Sequence, residues 1–249
     1  MAPSQRARQV MSAARTDPAA AHRLAGWYRG GDEGLLQSPQ LAFRWNLQAA
    51  ERGHGEAMFE TASAYQAGDG VEVDRAAAMM WIEKAADRGD RVAQYNLGTA
   101  LEHGIGTPQN YELAATWYQR AADQHYSSAM ANLGTLYDAG TGVKQDPARA
   151  NALYRQAIEV DNNRFALFNL GNSYCLGRVV EKNLVTALSF YQRAADPGHA
   201  GGEYRIGWAY MHGEGGYEKN NGLARKYIKV WRYRMTRVDP VFTAFDFSD

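Results

Sequence analysis

One stretch, RVAQYNLGTALEHGIGTPQNYELAATWYQRAADQ (residues 91–124), recurs along the chain and constrains the fold more than any other feature. It joins two short amphipathic helical patterns through a Gly-rich turn. The first keeps Ala93, Leu97, Gly98 and Leu101, the turn keeps Gly104 and Gly106, and the second keeps Ala114, Trp117, Tyr118, Ala121 and Ala122. The leading small residue falls at Ala20, Ala57, Ala93, Ala129, Ala166 and Gly202, at successive spacings of 37, 36, 36, 37 and 36 residues. The turn Gly returns as Gly31, Gly68, Gly104, Gly140, Gly177 and Gly213, and the second-helix Ala as Ala42, Ala78, Ala114, Ala150, Ala187 and Ala224. Self-similarity at this period, with two helices per unit, predicts a helical repeat array in which each unit covers the apolar face of the next.

Offsets 0, 4 and 8 of the first helix lie within 80° of each other at about 100° per residue, so they form one buried stripe. In the regular units this stripe reads Ala57, Thr61, Tyr65; Ala93, Leu97, Leu101; and Ala129, Leu133, Tyr137. The glycines Gly68, Gly104 and Gly140 suit the left-handed residue that closes a helix. Asp74, Asn110, Asp146 and Asn183 stand where a short polar side chain can cap the second helix, and Pro147 suits a first helical position. Unit one has a longer polar turn, GGDEGLLQSP, and unit five lacks the second turn Gly, reading Gly177, Arg178, Val179, Val180.

The segments AQYNLGTALEHGIG and AMANLGTLYDAGTGVKQD, the turn Gly pairs and the closing W-Y-x-x-A-A resemble the Sel-1-like repeat family, a relative of the tetratricopeptide repeats. The resemblance implies an all-α fold, a right-handed α/α solenoid of about six helix-turn-helix repeats. The division expected is a basic extension over 1–18, repeats at about 19–54, 55–90, 91–126, 127–163, 164–199 and 200–237, and an aromatic-acidic tail over 238–249. It also implies scaffold or adaptor work rather than a particular partner.

Lys+Arg and Asp+Glu both number 27, so the formal net charge is zero, which argues against a general nucleic-acid or anionic-membrane binder. The single cysteine, Cys175, excludes a disulfide framework within the chain. No apolar run is long enough to span a membrane. Residues 1–16 carry Arg6, Arg8 and Arg15 without an acid. That composition fits an organellar (mitochondrial) presequence; the plainer reading is a helical cap on a soluble, intracellular chain.

The glycine-rich turns GIGTPQN and GTGVKQD lack the Lys-Ser/Thr ending of a phosphate-binding loop, and HExxH, CxxC and serine-elbow patterns are absent from the sequence. His103 and His212 share one slot three units apart, too far to share a metal, and His54 and His199 fall in inter-repeat turns. No catalytic residue, cofactor, metal or small-molecule substrate is expected; an enzyme built on a repeat scaffold is the remote alternative.

Two surfaces are expected to bind protein or peptide partners, as in a structural subunit of a larger assembly. The first is the first-helix row opposite the buried stripe: Asn96, Thr99, His103, Asn132, Thr135, Asn169, Asn172, Arg205 and Trp208. In a stacked array this row faces the concave side, and Asn and Thr there can bond an extended peptide. The second is the C-terminal helix and tail, with Trp231, Arg232, Tyr233 and Arg234 followed by Phe242, Phe245 and Phe247. Arg mixed with aromatics is typical of interfaces, and the same helix offers the alternative of an RNA-associated subunit.

Overall fold

The computed structural model describes residues 2–196 and 198–238, with side chains to residue 233. Thirteen helices and no strands occur among the described residues. They fall into two compact units, 1–124 and 125–249.

The first unit holds α1 (Gln5–Ala13), α2 (Pro18–Gly30), α3 (Pro39–Glu51), α4 (Gly55–Ala67), α5 (Arg75–Asp87), α6 (Arg91–His103) and α7 (Tyr111–Asp123). The second holds α8 (Ser127–Ala139), α9 (Pro147–Asp161), α10 (Arg164–Leu176), α11 (Leu184–Ala195), α12 (Ala200–His212) and α13 (Asn221–Val238). Within each unit every helix packs against the next in sequence, as short loops between antiparallel neighbours require.

Local chemistry sets the boundaries. Ser38, Asp74, Asn110, Asp146, Asn183 and Asn220 each accept a hydrogen bond from the amide three residues on, at 2.9–3.2 Å. These are the side-chain caps of the second helix in each pair. The first helix of each pair ends on Gly31, Gly68, Gly104, Gly140, Gly177 and Gly213, all left-handed with φ of 68–76°, a conformation that costs a residue without Cβ least.

The stripe at offsets 0, 4 and 8 forms as expected. Ala57, Thr61, Ala93, Leu97, Leu101, Ala129 and Leu133 are buried, while Tyr65 and Tyr137 at the last offset are half-buried. The cores are alanine-rich, which lets helices approach closely, and the bulk comes from fully buried Tyr118, Tyr154 and Tyr191.

Residues 2–13 are part of this packing. Ser4 caps α1 through the Ala7 amide at 2.9 Å, and its own amide donates to the Glu33 carbonyl at 2.8 Å. Arg6 pairs with the Glu33 carboxylate at 3.3 Å, and Ala7 and Ala14 are fully buried. The long polar turn of the first repeat is thus the seat of the N-terminal helix. In that helix Arg6 pairs with the turn, and Arg8 donates to the Pro3 carbonyl at 2.7 Å.

Candidate functional site

The polar row on the first helices takes its geometry from a notch. In α6, a Cβ built on Gly98 would stand 2.7 Å from the Tyr118 ring. The missing side chain lets that ring cross α6 from α7 and bring its hydroxyl out on the row. There it donates to the Glu102 carboxylate at 2.6 Å and lies 3.1 Å from Thr99 Oγ1. Thr99 in turn donates to the Tyr95 carbonyl at 3.1 Å.

The second unit repeats the arrangement twice. Gly134 would place a Cβ 2.6 Å from Tyr154, and Gly171 would place one 2.8 Å from Tyr191. Burial pushes the Tyr154 phenol up to about 12, partly offset by hydrogen bonds with Thr135 and Asn169. The Asn169 amide also donates to Thr135 Oγ1 at 3.3 Å, tying α10 to α8. Tyr191 donates to Asn172 Oδ1 at 2.7 Å, and burial again raises its phenol, against the pull of the Arg205 guanidinium. These tyrosines stay neutral donors at physiological pH.

Thr99, Thr135, Asn169 and Asn172 are therefore held in place by tyrosines of the second helices, so the row is both structural and surface-forming. Asn96 and Asn132 are half-buried and His103 is exposed at the end of α6. The tyrosine hydroxyls and Glu102 were not among the residues singled out by helical offset. Their signal was present in the sequence, as the pairing of a Gly five residues after the leading Ala with a Tyr four residues after the second-helix Ala.

At α12 the row changes character. Trp208 is 41% exposed and stacks on His212 at 4.1 Å between ring centroids, while Arg205 is exposed one turn away. Tyr204 lies 6.3 Å from Trp208 and 4.9 Å from Trp231 of α13. One tyrosine thus brings together residues from the two surfaces that the sequence reading treated separately. On α13, Arg225, Lys226, Lys229, Arg232 and Tyr233 are exposed and Trp231 is half-buried. The side chain of Arg234 and residues Phe242, Phe245 and Phe247 lie outside the described residues.

His54 and His199 are more than turn residues. Each caps the first helix of its repeat, accepting at Nδ1 from the Ala57 amide at 3.3 Å and the Gly202 amide at 3.2 Å. Burial, reinforced by the Arg164 charge, lowers the His199 pKa to about 4.

Within each unit, helix pairs packed in series and notched by glycines opposite buried tyrosines define a helical repeat protein. The Sel1 repeat family model matches residues 18–54, 55–90, 91–126, 127–162, 164–199 and 200–229, and the chain belongs to that family. A Sel1 repeat protein from Oxalobacter formigenes is 32% identical, with 88% of each chain covered and a TM-score of 0.76. The c5321 protein, a protective antigen of uropathogenic Escherichia coli with the same repeat fold, is 28% identical with a TM-score of 0.79. The match covers 92% of this chain and 49% of that one. Immunity protein Pa5087 from Pseudomonas aeruginosa, at 24% identity, TM-score 0.51 and coverage of 87% of this chain and 81% of that one, shares the fold. No curated protein matches the chain. The fold is accordingly the Sel1 repeat solenoid, and such repeats commonly serve as protein–protein interaction modules. No helix among the described residues is long and apolar enough to cross a membrane.

Proposed function

We propose that the chain is a non-catalytic scaffold that holds a protein or peptide partner on its first-helix faces, as a subunit of a larger assembly. The observation that supports this most is the α12 cluster. An exposed Trp208 is fixed between His212 and Tyr204, beside an exposed Arg205 whose guanidinium lies over the Tyr191 ring at 5.8 Å. Tryptophan and arginine held rigidly at a surface are the residues that dominate binding energy at protein interfaces, and rigidity lowers the entropy cost of engagement.

The α8–α10 portion of the row supplies the second half of the recognition. Thr135, Asn169 and Asn172 are held by tyrosine hydroxyls, so a partner meets polar groups already fixed in place. Extended peptide fits this best, because its unpaired backbone groups can bond fixed Asn and Thr side chains without burying charge.

The test is affinity capture with the wild-type chain against Trp208→Ala and Asn169→Lys. Loss of the same specific partner from both variants, with helical content unchanged, supports the reading. Capture of that partner at wild-type level by both variants contradicts it.

A further inference from the structure

The first unit carries a side-chain cluster that the interaction surface does not use. His22 on α2, His54 at the start of α4 and Glu56 in the first turn of α4 each offer one ligand atom, all within 4.8 Å of one another. We infer that these three residues form a binding site for a divalent first-row transition cation, zinc being the representative ion.

Three observations carry this. The first is the distance between His22 Nε2 and the Glu56 carboxylate, 3.3 Å. Zinc bonds of about 2.0–2.2 Å at tetrahedral angles separate neighbouring ligand atoms by about 3.3–3.6 Å. That edge of the coordination shell is already set, and the 81% exposed Glu56 side chain can swing to adjust the others.

The second is the support behind His22. Its Nδ1 lies 2.9 Å from Oδ1 of Asn46, and Asn46 is only 2% exposed. With a buried carbonyl oxygen as partner, Nδ1 is the donor, and when a cation displaces the Nε2 proton the Nε2 lone pair is left on the Glu56 side of the ring. Fixing the ligating nitrogen by a hydrogen bond to the other one is how metal-binding histidines are oriented.

The third is a comparison within the chain. The same two repeat slots are filled in the last repeats by Phe168 and His199, whose rings stack at 4.5 Å and 28°. His22 and His54 stack at 4.6 Å and 29°. Packing alone is satisfied by a phenyl ring in the first slot, so the imidazole at 22 adds nitrogen chemistry to an otherwise unchanged contact. Asn46, too, stands in the second-helix slot that Tyr118, Tyr154 and Tyr191 fill elsewhere.

Charge is favourable. The Glu56 carboxylate stands beside the two imidazoles, and Asp17 adds a smaller attraction for positive charge at His54. Two imidazoles and one carboxylate suit zinc and leave a position for water or a fourth ligand.

Binding is linked to the α4 cap. Metal at His54 Nδ1 competes with the Ala57 amide for one lone pair. Metal at Nε2 moves the ring proton to Nδ1, which then cannot accept. In both cases the 3.3 Å cap bond from Ala57 is released.

The experiment is a zinc titration of the full chain after treatment with a chelator, followed by calorimetry and by the Ala57 amide resonance. One zinc per chain should bind with a shift of the Ala57 amide, and affinity should fall at least tenfold in His22→Phe and in Glu56→Gln. The phenylalanine variant reproduces the Phe168–His199 stack. The glutamine variant changes an exposed group and carries the test by itself should the other fold poorly. Absence of zinc binding, or equal affinity in Glu56→Gln with an unmoved Ala57 amide, overturns the assignment.

Discussion

Gly98 and Tyr118 interlock: the tyrosine ring occupies the space where any larger residue at 98 would put its Cβ, 2.7 Å from Tyr118 Cδ1. Tyr118 is completely buried, yet its hydroxyl reaches Glu102 and Thr99 on the far side of α6. A glycine in mid-helix thus connects core packing to the polar surface.

Gly98→Ala should therefore destabilise the chain. At an open helix position the change would stabilise by up to about 1 kcal/mol; here overpacking against a buried ring should cost about 1–3 kcal/mol. The second repeat pairs Ala62 with Ile82 in the same slots, so adding Tyr118→Ile should recover part of the loss. Urea unfolding of the two single variants and the double variant measures that coupling.

Val179 carries backbone strain. It has φ of 63°, in the slot that Gly70, Gly106, Gly142 and Gly215 fill with φ of 61–74°. A β-branched residue is poorly suited to that region, where a non-glycine residue costs about 1–2 kcal/mol. Val179 is also exposed, so little packing offsets the strain. Val179→Gly should stabilise the chain by about 0.5–1 kcal/mol in denaturant midpoint experiments, after allowing for the entropy glycine loses on folding.

His199 gives a pH signature. Its folded-state pKa is about 4, below the ordinary 6.5, because burial and Arg164 disfavour the imidazolium. Between these values the unfolded chain binds the extra proton, so stability is fully present above pH 6.5 and declines as pH falls toward 4. His199→Asn keeps a capping side chain, as Asn163 does in the same slot of α10. Stability measured across pH 4–7 should decline less steeply in that variant than in the wild type.

The repeat register, the helix caps and the buried stripe were legible because each depends on residues a few positions apart, as with Asp74 capping α5 or Gly104 closing α6. The tyrosine ladder left only the Gly–Tyr slot pairing as a trace, because Tyr118 and Thr99 meet only when two helices pack, and helical offset alone cannot show that a polar row is already hydrogen-bonded. Glu33 hid in the same way. It adopts φ of 54° in the slot that Gly70, Gly106, Gly142 and Gly215 fill in four other repeats, and its role is settled by contacts with Ser4 and Arg6. His22 and Glu56 stand 34 residues apart in sequence and become neighbours only because α2 and α4 both pack against α3.

The most direct test of the scaffold account is hydrogen exchange of the chain alone and with its captured partner. The account predicts added protection at the α10 and α12 surfaces around Asn169, Asn172 and Trp208, and loss of that protection in Trp208→Ala. Protection confined to the second helices α9 and α11, or none at α10 and α12, would contradict it.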